Sequence, residues 1–163
     1  MKFFLYGVTL LVWVGMGVWL FAQAAEEATV SATVTVLSLS VSVDDGSVPY
    51  GILAAGATND TFSIPDRQVV ENDGNDAIDV NIRGGTTDSW DLTTSAGTDE
   101  FVHRFASDDA GDDLQALTDD QTLFTDNLAA AATRALDLEI QVPIATTETG
   151  LQTADVTLTA VEP

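Results

Sequence analysis

Residues 30 to 43, VSATVTVLSLSVSV, alternate apolar with small polar side chains, and the alternation reverses phase partway along. Val30, Ala32, Val34 and Val36 are apolar at even positions, whereas Leu37, Leu39, Val41 and Val43 are apolar at odd ones. Side chains of a strand alternate between two faces, so a slip of one residue sends every apolar group to the other side. A single regular strand therefore cannot bury both sets. Either a β-bulge at Val36 and Leu37 flips the phase within one long strand that crosses between sheets, or residues 28 to 36 form an extended arm and residues 37 to 43 are the first strand of a domain. The stretch from Ala28 to Val43 carries no charge. An unpaired arm of that kind is an aggregation hazard, and strand addition to a neighbour's sheet edge removes the hazard. Insertion of this head-to-tail kind does not close, so it builds filaments.

Beyond Val43 the chain is a series of short runs rich in Val, Ile, Leu, Thr and aromatics, among them AIDVNIRG, EFVHRF, RALDLEIQV and ADVTLTAV. Gly, Asp, Asn and Ser clusters such as DDG, ENDGND, GGTTD and SDDAGDD separate them. Regularly spaced short strands with turn signals predict an all-β, antiparallel β-sandwich of jelly-roll or Ig-like type. Ile78, Val80 and Ile82 oppose Asp79, Asn81 and Arg83, and Leu136, Leu138, Ile140 and Val142 oppose Asp137, Glu139 and Gln141. Such strands bury one face and wet the other. Trp90 and Leu92 are expected in the core. The alanine-rich DNLAAAATRAL, residues 126 to 136, has the propensity for a short helix, and the strand beginning at Arg134 competes with it.

The chain opens with Lys2, an uncharged apolar run, and small residues at Ala22 and Ala24 before Glu26 and Glu27. These are the parts of a secretory signal peptide with cleavage after Ala24; retained, the run at 3 to 22 is long enough to span a bilayer. Cleavage leaves 139 of the 163 residues, enough for one domain with its own core. The expected organisation is a signal peptide at 1–24, an extended arm at 25–36 and a β-sandwich at 37–163. The expected destination is the cell surface or the extracellular space, with no membrane span in the mature chain.

Beyond the leader there is no lysine and no cysteine, and Arg67, Arg83, Arg104 and Arg134 face all 26 acids, a formal charge of −22. Such a surface repels nucleic acid. No nucleophile elbow, phosphate loop or zinc-protease motif occurs, and His103, the only histidine, lies between Phe101 and Phe105 on one strand face. It reads as a packed, hydrogen-bonded residue, so no catalytic residue is assigned and no enzyme is expected. Calcium, which wants several oxygen ligands, has two candidate loops: Asp73, Asn75, Asp76 and Asp79, and Asp108, Asp109, Asp112 and Asp113. A solvated turn is the alternative for each, and no cofactor is required. Asn59-Asp60-Thr61 is a formal glycosylation acceptor.

A leader followed directly by an alternating strand, then VSVDDGSVPYGILAAGATNDTFSI, then VVENDGNDAIDVNIRG with its turn from Asn72 to Gly74, resembles the secreted β-sandwich surface proteins of the TasA and camelysin type, subunits of bacterial biofilm fibres. The resemblance implies a jelly-roll-like sandwich that assembles by donating its N-terminal strand. The proteolysis attributed to some camelysins does not carry over, because no metal-binding motif is present. Two roles are expected. One is an exported, non-catalytic surface or fibre subunit that self-associates head to tail through Val30, Ala32, Val34 and Val36. The other is a monomeric secreted module whose Asp-rich loops bind calcium or carbohydrate.

Overall fold

The computed structural model describes residues 28–107 and 113–163. The leader, its cleavage point and residues 25 to 27 lie outside the described residues. The chain divides into two units, Met1–Val34 and Thr35–Pro163. In the first, residues 28 to 34 have no strand or helix and expose their side chains.

The second unit is all-β, with no helix among the described residues. Its strands are β1 (Val41–Val43), β2 (Thr58–Asp60), β3 (Gln68–Asn72), β4 (Ile78–Gly84), β5 (Asp91–Leu92), β6 (Glu100–Ser107), β7 (Gln115–Ala116), β8 (Thr122–Leu128), β9 (Thr133–Gln141) and β10 (Val156–Val161). One sheet runs β1-β3-β9-β6-β5, with β2 also on β9 and β7 also on β6; the other runs β10-β4-β8. Pairing is antiparallel except for β5 with β6, which is parallel, and a parallel bridge between Thr98 and Ala145. The two sheets pack in a sandwich-like arrangement around Val70, Ile78, Val80, Ile82, Phe105, Leu117, Phe124, Leu128, Leu136 and Leu138. Alternation dictates this packing. Ile78, Val80 and Ile82 of β4 are fully buried while the intervening Asp79, Asn81 and Arg83 reach outward.

The helix expected over residues 126 to 136 is not formed. Those residues end β8, turn at Ala129–Ala132 and begin β9, with Ala132 N–H donating to Ala129 O at 3.0 Å. Burying Phe124, Leu128, Leu136 and Leu138 across the two sheets outweighs an alanine propensity of only tenths of a kcal/mol per residue, by about 1.5–3 kcal/mol for each large side chain.

The longer sheet overhangs the shorter one along β6. Phe105 meets Phe124 of β8, ring centroids 6.3 Å apart. Farther along the same face Phe101 meets Trp90 at 6.4 Å, and His103 meets Tyr50 edge-on at 5.8 Å. Residues from the connections β1–β2 and β4–β5 thus cover what the second sheet does not reach. Trp90 is accordingly only half-buried, its indole N–H donating to Thr146 Oγ1 at 3.2 Å.

Candidate assembly interface

The phase reversal coincides with the place where the chain is fixed to the domain. Of the odd set, Leu39, Val41 and Val43 pack against the core, whereas Leu37 is 45% exposed. The even set is exposed: Val30 at 89%, Val34 at 90% and Val36 at 79%, with Ala32 exposed as well. The fixing device is the turn after β3. Asn75 Nδ2 donates to Val36 O at 2.7 Å, Asn75 Oδ1 accepts from Ser38 N–H at 2.9 Å, and Asn75 N–H donates to Ser38 O at 3.1 Å. Asp73 N–H adds a bond to Ser40 O at 3.1 Å. Gly74 permits this approach, since a Cβ there would lie 2.4 Å from Ser38 O. Residues 36 to 40 therefore follow the turn as a strand follows its neighbour, although only Val41–Val43 complete the ladder with β3.

Beneath this turn Asn72 is fully buried. Its Nδ2 donates to Asp76 O and to Leu128 O, both at 2.8 Å, and its Oδ1 accepts from Gly74 N–H at 2.8 Å. Its backbone bonds Ala131 and Ala132. One side chain so joins the end of β3, the turn and the β8–β9 crossover. Sequence reasoning identified Asn72 as a turn residue; the buried polar side chain became visible only with the strands in place.

The first calcium candidate is this same turn, and its residues have other partners. Asn75 holds the junction, Asp76 Oδ1 accepts from Ala77 N–H at 2.8 Å, and Asp79 Oδ1 accepts from Asn127 N–H at 2.8 Å; Asp73 is exposed. Asp79 serves a bulge. The β4–β8 register shifts on both sides of Val80, where Asn127 adopts a left-handed φ of 46°. Among the described residues no group of three or more His, Asp or Glu gathers as a metal site. Of the second candidate, Asp113 is exposed, and Asp108, Asp109 and Asp112 lie outside the described residues.

His103 is 3% exposed and shares a 2.9 Å hydrogen bond between its Nε2 and the Tyr50 hydroxyl, while Nδ1 has no partner. Burial pushes its pKa down to about 4 and pushes that of Tyr50 up, so the imidazole is neutral at pH 7. The outer face of the same sheet carries two ion pairs, Arg67–Asp137 at 2.7 Å and Arg104–Glu139 at 2.6 Å. Asn59 and Thr61 of the glycosylation motif are engaged: Asn59 Nδ2 donates to Tyr50 O at 2.8 Å, and fully buried Thr61 accepts from Leu138 N–H at 3.0 Å. The folded domain presents no free acceptor amide there.

A charge-free segment with exposed valines precedes the junction at Val36–Ser40, and the shorter sheet ends in strands bonded on one side only, β10 and β8. Comparison of the chain with protein-family models, with curated proteins and with solved structures finds no match.

Proposed function

We propose that this protein is an exported, non-catalytic structural subunit of the cell surface or of an extracellular fibre, built as a jelly-roll or Ig-like sandwich. It assembles head to tail when residues 28 to 36 of one copy add as a strand to the next. The carrying observation is the pair of states along one alternating stretch: Leu39, Val41 and Val43 on the core, Val30, Val34 and Val36 exposed. Covering each exposed valine contributes roughly 1.5–3 kcal/mol, and backbone pairing along the strand adds to it. In this reading the leader is removed after Ala24 and assembly retains the protein at the surface.

The test is the size of the protein recovered from an exporting host, measured by light scattering beside a variant lacking residues 28 to 34. That deletion spares the Val36–Ser40 junction. The expected result is a mature N-terminus at Ala25 and polymers that the deletion reduces to monomers. Monomers from the intact chain overturn the reading.

A further inference from the structure

Resting on that reading, we infer that the acceptor for the donated strand is the outer edge of β10, Val156–Val161, in a second copy of this chain. The strands that end the sheets differ in how open they are. Native edges are blunted by shortness, charge, proline or bulges. β1 has three residues and runs into Asp44 and Asp45, and β5 and β7 have two residues each. β8 carries exposed Asp126 beside the bulge at Asn127. β10 is the least blunted: VTLTAV itself is free of charge, proline and glycine, although Asp155 precedes it and Glu162 and Pro163 follow it, and it pairs with β4 in unbroken register from Val156 to Val161.

Burial points to the same edge. On the opposite side of the sandwich Phe105, Phe124 and Leu128 are buried. On this side Val156, Leu158 and Ala160 of β10, and Leu39, Val41 and Val43 leading into and along β1, are only partly covered. β1 and β10 approach each other, so these partly covered apolar side chains lie together along the β10 edge. A strand added beside β10 sets alternate side chains over that half-covered apolar row, which matches the spacing of Val30, Ala32, Val34 and Val36. Charge argues likewise. Two molecules with a mature charge of −22 meet most easily where neither presents a carboxylate, and residues 28 to 36 of the arm and Val156–Val161 carry none.

The chain has no cysteine, so introduced thiols report proximity directly. Full chains carrying T33C with T157C, or T33C with T159C, are recovered from the exporting host, oxidised and run on denaturing gels, beside T33C with D126C on β8. The expected result is a ladder of covalent oligomers with the β10 thiols and none with D126C. A ladder with D126C, or polymers that depend on residues 28 to 34 yet crosslink at neither edge, overturns the β10 assignment and leaves strand donation standing. Monomers by scattering overturn both. A disulfide closed within a monomer shows the arm covering its own β10 and overturns the inference. A second variant, T157K with T159K, blunts the edge: loss of polymers with an unchanged circular dichroism spectrum and Tm is expected, and polymers as abundant as those of the parent overturn it.

Discussion

Asn75 Nδ2 and Val36 O are 2.7 Å apart, and this bond, with the 2.9 Å bond from Ser38 N–H back to Asn75 Oδ1, lets one side chain act as a short piece of neighbouring strand. The junction between arm and domain is thereby fixed where β3 has already turned away. Replacing Asn75 by Ala removes both bonds at a solvent-accessible site, where each contributes about 0.5–1.5 kcal/mol. The expected outcome is a loss of about 1–2 kcal/mol in denaturant unfolding and faster hydrogen exchange at Ser38, with exchange in β4 and β9 following only the global change.

The buried Asn72 is less forgiving. Asn72→Ala strips partners from Leu128 O, Asp76 O and Gly74 N–H together, and unsatisfied buried groups cost about 1–3 kcal/mol each. A loss of at least about 3 kcal/mol is expected in urea unfolding. Asn72→Asp keeps the shape and turns an oxygen toward two carbonyls. Its carboxyl is held protonated in the folded state, with a pKa above the unfolded value of about 3.9. Stability of that variant relative to the parent then falls as pH rises above about 4; a pH-independent difference refutes this account.

In β4 the sequence told which face is buried, whereas in β9 Asp137, expected on the wet face, is buried as well and pairs with Arg67. Ile78, Val80 and Ile82 in β4 and Leu136 and Leu138 in β9 are inside as their spacing predicts, because period-2 alternation and burial are the same fact read twice. The reversal at Val36 and Leu37 is read from the same alternation, and burial follows it only from Leu39 onward, Leu37 being exposed. The alanine run was not legible, since its conformation is set by long-range bonds to Asn72 that no local propensity contains. Asp76 and Asp79, named in the sequence as calcium candidates, accept backbone N–H bonds in the fold, and that use of a carboxylate has no signature in the sequence. The open edge of β10 was written in VTLTAV, but an edge is defined by its missing neighbour, and only the strand order gives that.

Ala131 supplies a direct check on the crossover. It holds a left-handed φ of 58° inside the Ala129–Ala132 turn, a conformation costing a non-glycine residue roughly 1–2 kcal/mol. Ala131→Gly relieves that cost and returns about 0.4–1 kcal/mol through the freer unfolded chain. The expected net gain is about 0.5–1 kcal/mol, read as a higher Tm, whereas Ala131→Val lowers it. Equal Tm values for the three proteins would exclude the strained turn.

His103 makes the domain acid-sensitive in a defined window. The unfolded imidazole titrates near 6.5 and the folded one near 4, because burial penalises the cation. The unfolded chain therefore binds the extra proton between these values, so the histidine's contribution is complete above pH 6.5, shrinks as pH falls through the window and is lost below 4. At 1.36 kcal/mol per pKa unit the full effect is about 3 kcal/mol. Facing the ring are Tyr50, which bonds Nε2, and Ile140, paired opposite on β9; Asp60, Glu139 and Asp66 act on Tyr50 from nearby. The informative quantity is a difference between the parent and a variant. His103→Gln, which retains a hydrogen-bonding group toward Tyr50, is expected to be less stable than the parent at pH 7 and to close that gap progressively from pH 6.5 to 4. Urea unfolding at half-unit pH steps measures it, and two parallel stability curves across the window would show that His103 keeps its ordinary pKa in the folded domain.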